Sequence, residues 1–378
     1  MSKLLAVVWN VNTLTAAQVT LAEMRHEVIA QANTQPNLSS YLDQRALAKS
    51  WTRDQAIDEL ATAWRDSANQ RDPFTGLAPT ARASILDGAV KAAANWAWSA
   101  GSPNLVFVAP EYLFAQSGTQ HLLDGATHLQ AILASIQSIS AKYPHVLLFP
   151  GTIAYRKSIA GQSVRARVNV YEDMIFWQKQ TARPEQETNK DKILKIAMRG
   201  DDFEIAQNKA YAYLAGKKLL EYTKRGDFHE VTRSDDNGRV TYVPGSQSGT
   251  LRAFDKSFGV EVCLDHNLGY ATRSGGDNFD VHIITSAAVD PVPANEKTVG
   301  SVNGKVGFVV HASSNKDCTQ VVRWSSGKRA VLPSTWDDAG PGHGRLYGYS
   351  LDFGVARQDT GPTIAPGKVA GIKARFGG

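Results

Sequence analysis

Ser257-Phe258-Gly259-Val260-Glu261-Val262-Cys263-Leu264-Asp265-His266 is a short apolar run that ends in a cysteine and opens into a polar turn. A thiol in that setting sits at the tip of a strand, within reach of a small molecule. Most cysteines in such runs are small buried hydrophobes, so the segment gains meaning only beside two others. Val106-Phe107-Val108-Ala109-Pro110-Glu111-Tyr112 is a β-branched and aromatic run that stops at a proline and then presents a carboxylate. Asn208-Lys209-Ala210-Tyr211-Ala212-Tyr213-Leu214-Ala215-Gly216-Lys217-Lys218-Leu219-Leu220-Glu221-Tyr222-Thr223-Lys224 is a strand, a glycine turn and a returning strand that ends on a lysine.

A strand-end Glu111, a hairpin-end Lys224 and a strand-tip Cys263, in that order, resemble the three signatures of the nitrilase superfamily of carbon-nitrogen hydrolases. Glu111 and Lys224 are 113 residues apart, a long separation for that family, and Lys224 and Cys263 are 39 apart, an ordinary one. Weaker likenesses extend along most of the chain. Lys3 to Val8 is similar to the family's opening strand, Val146 to Ile153 to its strand before the hairpin, and Val281 to Ala287 to the strand after the nucleophile. Lys305 to Asn315 would be the late strand. The resemblance implies an α/β fold, a four-layer αββα sandwich with the three residues converging at one end. The alternation of β-branched strands with alanine-rich helices argues for an α/β class independently.

The resemblance also implies a mechanism. Cys263 would attack an amide-like carbon, Glu111 would take the thiol proton and return it to the departing amine, and Lys224 would stabilise the tetrahedral intermediate by its fixed charge. Water would then hydrolyse the Cys263 thioester. Free thiols titrate near pH 8.5, so a neighbouring group must raise the thiolate fraction or remove the proton during attack. A second glutamate often supports the lysine in this family, and Glu230 is the candidate, with a solvated loop residue as the equal alternative. Asp265, two after the cysteine, resembles the amidase-like branch and favours amide or carbamoyl substrates over nitriles; as an Asp near a helix start it would also serve as a cap.

Other residues have plainer readings. Glu261 shares strand parity with Cys263, where the family usually has an apolar residue; burial against Arg252 or Lys256 and entry into the pocket are both open. His266 and His229 read as surface residues, and Cys318 as structural. Two cysteines cannot build a disulfide framework, and the absence of CxxC or His-rich spacing points to a reducing compartment and to a site with no metal and no cofactor. No glycine cluster has the form of a phosphate cradle.

The 378 residues are 43% hydrophobic and 20% charged, ordinary for a globular protein. The net charge of +5 comes from 41 basic and 36 acidic residues mixed along the chain, which argues against a nucleic-acid partner. Apolar runs are too short to span a membrane, and the N-terminus turns polar too soon for a secretory signal, so a cytoplasmic protein is expected. The expected organisation is one carbon-nitrogen hydrolase domain over 1–355, with a helical insertion near 15–78, a second insertion near 157–205, and a Gly/Pro/basic tail over 356–378. Helical periodicity runs from Ala17 to Ala32, from Arg53 to Ala68 and from Pro79 to Ala100.

The leading expectation is therefore an enzyme, a thiol hydrolase acting on a small-molecule amide-like substrate, with self-association into a homo-oligomer carried over from the family. Two alternatives stand beside it. An N-acyltransferase would pass the same thioester to an amine, which product analysis with added amines separates. A non-catalytic binding or scaffold protein of the same fold would show ordinary thiol reactivity at Cys263.

Overall fold

The computed structural model describes residues 4–13, 21–34, 36–70, 77–115, 122–158, 204–226, 240–243, 245, 248–273, 276–302, 304–341 and 344–354. Its strands are β1 (Leu4–Asn10), β2 (Leu105–Val108), β3 (Leu123–Asp124), β4 (Val146–Phe149), β5 (Thr152–Ser158), β6 (Glu204–Leu214), β7 (Lys217–Thr223) and β8 (Val240–Tyr242). They continue with β9 (Thr250–Ala253), β10 (Lys256–Val262), β11 (Val281–Ser286), β12 (Val306–Ser313), β13 (Gln320–Ser325), β14 (Lys328–Val331), β15 (Trp336–Ala339) and β16 (Arg345–Leu351). The helices are α1 (Leu21–Thr34), α2 (Pro36–Lys49), α3 (Arg53–Gln70), α4 (Arg82–Ser99), α5 (Gly125–Lys142), α6 (Leu264–Asn267) and α7 (Tyr270–Arg273).

Two sheets pack face to face. The first runs β15-β16-β1-β2-β4-β6-β5-β3, with β7 and β8 also paired to β6; the second runs β14-β13-β12-β11-β10-β9. The central strands β1, β2 and β4 are parallel to one another, as are β10, β11 and β12. Strands covered on both faces should be apolar throughout rather than alternating, and β2, β4 and β1 as far as Trp9 are.

Alternation instead decides which core each residue joins. Leu4, Ala6 and Val8 meet Phe258, Val260, Phe308 and Val310 between the sheets, while Leu5, Val7 and Trp9 face α4 and α5. The fourth layer is thinner. Over the outer face of the second sheet lie the short helices α6 and α7 and the 292–302 segment, with polar side chains buried beneath them.

The helices α1 to α3 form a small unit with its own core of Val28, Leu42, Ala56, Ile57 and Ala61. Of these, α2 is a helix that the hydrophobic periodicity of the sequence does not single out. The run Val146 to Ile153 is two strands rather than one, because Pro150 and Gly151 break it and β5 pairs antiparallel with β6. The tail over 356–378 and most of the 157–205 segment lie outside the described residues. Among the described residues, no helix is long and apolar enough to cross a membrane.

Gly151 sets how closely the turn after β4 approaches the loop that carries Glu111. It has a φ of 81°, and a Cβ there would collide with the Pro110 carbonyl oxygen and stand 3.3 Å from Leu113. Only glycine lets this turn pass under that loop. The loop is also held by Arg82, whose Nη1 donates to the Leu113 carbonyl at 3.1 Å. Gly151→Ala should destabilise the fold by about 2–4 kcal/mol and displace Glu111; urea unfolding at constant m-value measures the first.

Candidate active site

Glu111, Lys224 and Cys263 come together at one end of the sandwich, where hydrogen bonds join the two sheets. Each follows a strand end: β2 through Ala109-Pro110, β7 directly, and β10 directly. The loop from β2 crosses to the second sheet, where Glu111 N–H donates to Ser286 O at 3.3 Å and Thr285 Oγ1 donates to Ala109 O at 2.9 Å. Thr13 Oγ1 also donates to the Glu111 carbonyl.

The Glu111 carboxylate is fully buried and supplied with donors. Lys224 Nζ lies 3.0 Å and Asn208 Nδ2 2.8 Å from Oε1, and the Ala287 backbone N–H donates to Oε2 at 3.1 Å. Lys224 is as deeply buried as its partner. Its ammonium also lies 5.9 Å from the centre of the Tyr112 ring, and its backbone is bound on both sides: the N–H donates to Asn208 O, and the carbonyl accepts from Tyr242 Oη.

Cys263 meets this pair from the second sheet: its N–H donates to the Thr285 carbonyl, and Thr285 Oγ1 donates in turn to Ala109 in the loop that carries Glu111. Burial pushes the thiol well above the ordinary range and the Glu111 charge adds to this, while Lys224 and the Ala287 N–H oppose it. The resting group is a protonated thiol under the influence of a carboxylate and an ammonium. Its backbone has a φ of 50° and a ψ of −110°, a conformation that costs a non-glycine residue about 1–3 kcal/mol. Cys263 N–H to Thr285 O at 2.8 Å and His266 N–H to Cys263 O at 3.0 Å hold it there.

Several residues stand elsewhere than the sequence suggests. Asp265 does not cap α6, whose N-cap position is Cys263. Its carboxyl is buried and accepts from Tyr222 Oη at 2.7 Å, Arg225 N at 3.0 Å and Gly226 N at 2.6 Å, tying the cysteine turn to the lysine loop. His266 is not a surface residue but fully buried. Glu261 pairs with neither Arg252 nor Lys256 and does not reach Glu111 or Lys224; it contacts His266 Nδ1 and His282 Nε2, each at 3.0 Å from Oε2. Glu230 and His229 lie outside the described residues.

Asn208 is the residue that sequence reasoning passed over as a hairpin start. An amide in the middle of a long strand is disfavoured by β-propensity, and that was the available signal. Cys318 is buried, with its Sγ 3.4 Å from Asp290 Oδ1, and burial with Asp290 pushes it up to about 12. A cavity of about 250 Å³ lies beside the site rather than in it, lined by Tyr222, Arg225, Glu261, Tyr270 and Phe279.

No family model matches the chain, and no curated protein is significantly similar to it. Solved structures do match in shape. Nit3 of Saccharomyces cerevisiae, a member of branch 10 of the nitrilase superfamily, is 12% identical over 93% of this chain and 90% of that one, with a TM-score of 0.37. The structural neighbours of this chain include nitrilase-superfamily proteins. An amidase from Nesterenkonia AN1 of the same superfamily is 14% identical over 72% of this chain and 85% of its own, at a TM-score of 0.38. A glutamine-dependent NAD+ synthetase from Acinetobacter baumannii is 10% identical over 93% of this chain and 46% of that one, at 0.37. At such identities and scores the chemistry has to be read from this chain's own side chains.

The buried Asp265 also makes stability depend on pH. Burial raises its carboxyl to about 7, against the Arg225 N–H, the Tyr222 hydroxyl, the Gly226 N–H and the Lys224 charge. A carboxyl whose folded pKa lies above its unfolded value near 3.9 favours the folded state most below that value. The contribution is lost as pH rises from about 4 to about 7. Denaturant midpoints should therefore decline over that interval, and Asp265→Asn should flatten the decline even though it lowers stability overall.

Proposed function

We propose that this chain is a thiol hydrolase of the nitrilase type, cleaving a non-peptide carbon-nitrogen bond of an amide or carbamoyl substrate. The observation that carries this reading is the buried Glu111–Lys224 pair, with the Cys263 turn tied through Thr285 to the loop that carries Glu111. A lysine held only as structural glue would be an expensive choice, since burying two charges costs several kcal/mol per ion before their attraction is counted. A charge kept dry beside a nucleophile is what an oxyanion requires.

The steps are those that the resemblance implies, and the contacts around Glu111 and Lys224 support them. The Cys263 proton passes to Glu111 as sulfur bonds to the substrate carbon, and the oxyanion develops near Lys224. Glu111 returns the proton to the amine nitrogen, the carbon-nitrogen bond breaks, and a thioester remains on Cys263. Water then attacks with Glu111 as base, and the proton goes back to sulfur as the acid leaves. Because burial keeps the thiol protonated at rest, proton removal accompanies attack rather than preceding it. Asn208 and the Ala287 N–H fix the carboxylate so that it faces the thiol throughout.

Cys263→Ala should lower hydrolysis across a panel of small amides and carbamoyl compounds by about 10³-fold or more while the fold is kept; full turnover in that folded variant would end this reading. Alkylation of Cys263, followed with Cys318 as reference, gives a substrate-free check. Glu111→Gln removes a charge that raises the thiol pKa, so its profile should move to lower pH, and Lys224→Met should move it higher.

A further inference from the structure

Cys263 is flanked in sequence by two buried groups that meet each other. Glu261 precedes it by two residues on β10, and His266 follows it by three on α6; Glu261 Oε2 lies 3.0 Å from His266 Nδ1. The other carboxylate oxygen accepts the Ala271 backbone N–H of α7 at 2.7 Å. From the neighbouring strand β11, His282 Nε2 approaches Oε2 at 3.0 Å, less well aligned than His266. One carboxylate thus links the strand before the cysteine, the two helices after it and the adjacent strand.

Glu261, His266 and His282 are also a set of groups with the composition of a metal site, their ligand atoms all within 4.8 Å of one another. The outer partners of the rings decide between a metal and a hydrogen-bonded clamp. A metal-bound imidazole donates its other ring N–H, usually to a carbonyl or carboxylate. Here the far nitrogens accept instead: His266 Nε2 from Val292 N–H and His282 Nδ1 from Lys297 N–H, each at 3.2 Å. In neutral rings the protons therefore sit on the nitrogens that face Glu261, where a metal would need lone pairs. Burial pushes the Glu261 carboxyl up, but the contacts with His266 and His282 outweigh it and bring the group to about 2, consistent with a permanent acceptor.

We propose that Glu261 is a positioning residue for the nucleophile: its carboxylate, bound to His266 and Ala271 with His282 alongside, holds the left-handed Cys263 backbone and keeps the thiol turned toward Glu111. The catalytic consequence rests on Cys263 being the nucleophile, as proposed above; the geometric claim does not. Asp265 secures the opposite side of the same turn through Tyr222, Arg225 and Gly226. His311, the third buried histidine on that face of the sheet, bonds Ser286 Oγ at 2.8 Å and joins the cluster only by ring packing.

The test uses Glu261→Gln, which keeps the volume and the acceptor for Ala271 but turns an amide N–H toward two ring N–H groups. The pH profile of Cys263 alkylation is recorded with and without Glu111→Gln, in the wild-type and Glu261→Gln backgrounds. Positioning predicts that the shift caused by Glu111→Gln falls by at least half when Glu261 is replaced, because the thiol no longer faces that carboxylate. Equal shifts in both backgrounds overturn the proposal. If Glu111→Gln causes no shift in the wild type, the functional reading fails, and a crystal structure of Glu261→Gln decides the geometric claim. Loss of the positive φ at Cys263 and of its bond to Thr285 is expected; an unchanged turn overturns it. Should Glu261→Gln not fold, His282→Leu carries the same two readouts in milder form, and no change in either overturns the clamp. Stoichiometric transition metal in purified wild-type protein, lost in either variant, would also overturn it.

Discussion

The buried ion pair of Glu111 and Lys224, 3.0 Å apart with neither side chain exposed, constrains much of the architecture around it. Two charges withdrawn from water are tolerated only where further donors and acceptors surround them. The fold supplies these from separate places: Asn208 from β6, the Ala287 N–H from the end of β11, the Tyr112 ring from the Glu111 loop itself. Both sheets must therefore end at the same level, and the loop after β2 must cross from one to the other. The bonds from Glu111 N–H to Ser286 and from Thr285 to Ala109 are that crossing. Gly151 clears the space under it.

The same end of the sandwich stores strain. Cys263 has a backbone that a cysteine does not choose by itself, and Tyr112, next to the carboxylate, also has a positive φ of 61°. Strained non-glycine residues persist where surrounding contacts over-determine them. Around Cys263 those contacts are unusually polar for the outer face of a sheet. Glu261, His282 and His311 stand there where apolar residues would ordinarily seat a covering helix, and the cover is accordingly two short helices and a loop. Hydrogen bonds to backbone N–H groups replace the packing that a long amphipathic helix would provide.

Different parts of this molecule were legible in the sequence to different degrees. The strand ends at Glu111, Lys224 and Cys263 were visible because strand termination is local: a proline after an apolar run, a glycine hairpin, a glycine before a cysteine. Helix α2 was not visible, since its apolar positions are few and its two buried residues, Leu42 and Ala46, matter only against α1 and α3. The break at Pro150-Gly151 was written in the residues, yet the apolar run on both sides concealed it. His266 was misread because a histidine in a polar segment is usually solvated; its burial comes from Val292 and Asn295, which approach from a loop far along the chain.

By itself the sequence determined the class of fold and the strand ends at Glu111, Lys224 and Cys263, because each follows from local pattern; a family resemblance singled those three residues out together. Only the tertiary structure decided that the three meet, that Asn208 and the Ala287 N–H complete the carboxylate, and that Glu261 and Asp265 grip the cysteine turn from opposite sides. Those contacts join positions that local pattern does not relate: a hydrogen bond between residues 176 apart, such as Ala287 to Glu111, exists only once two sheets have packed.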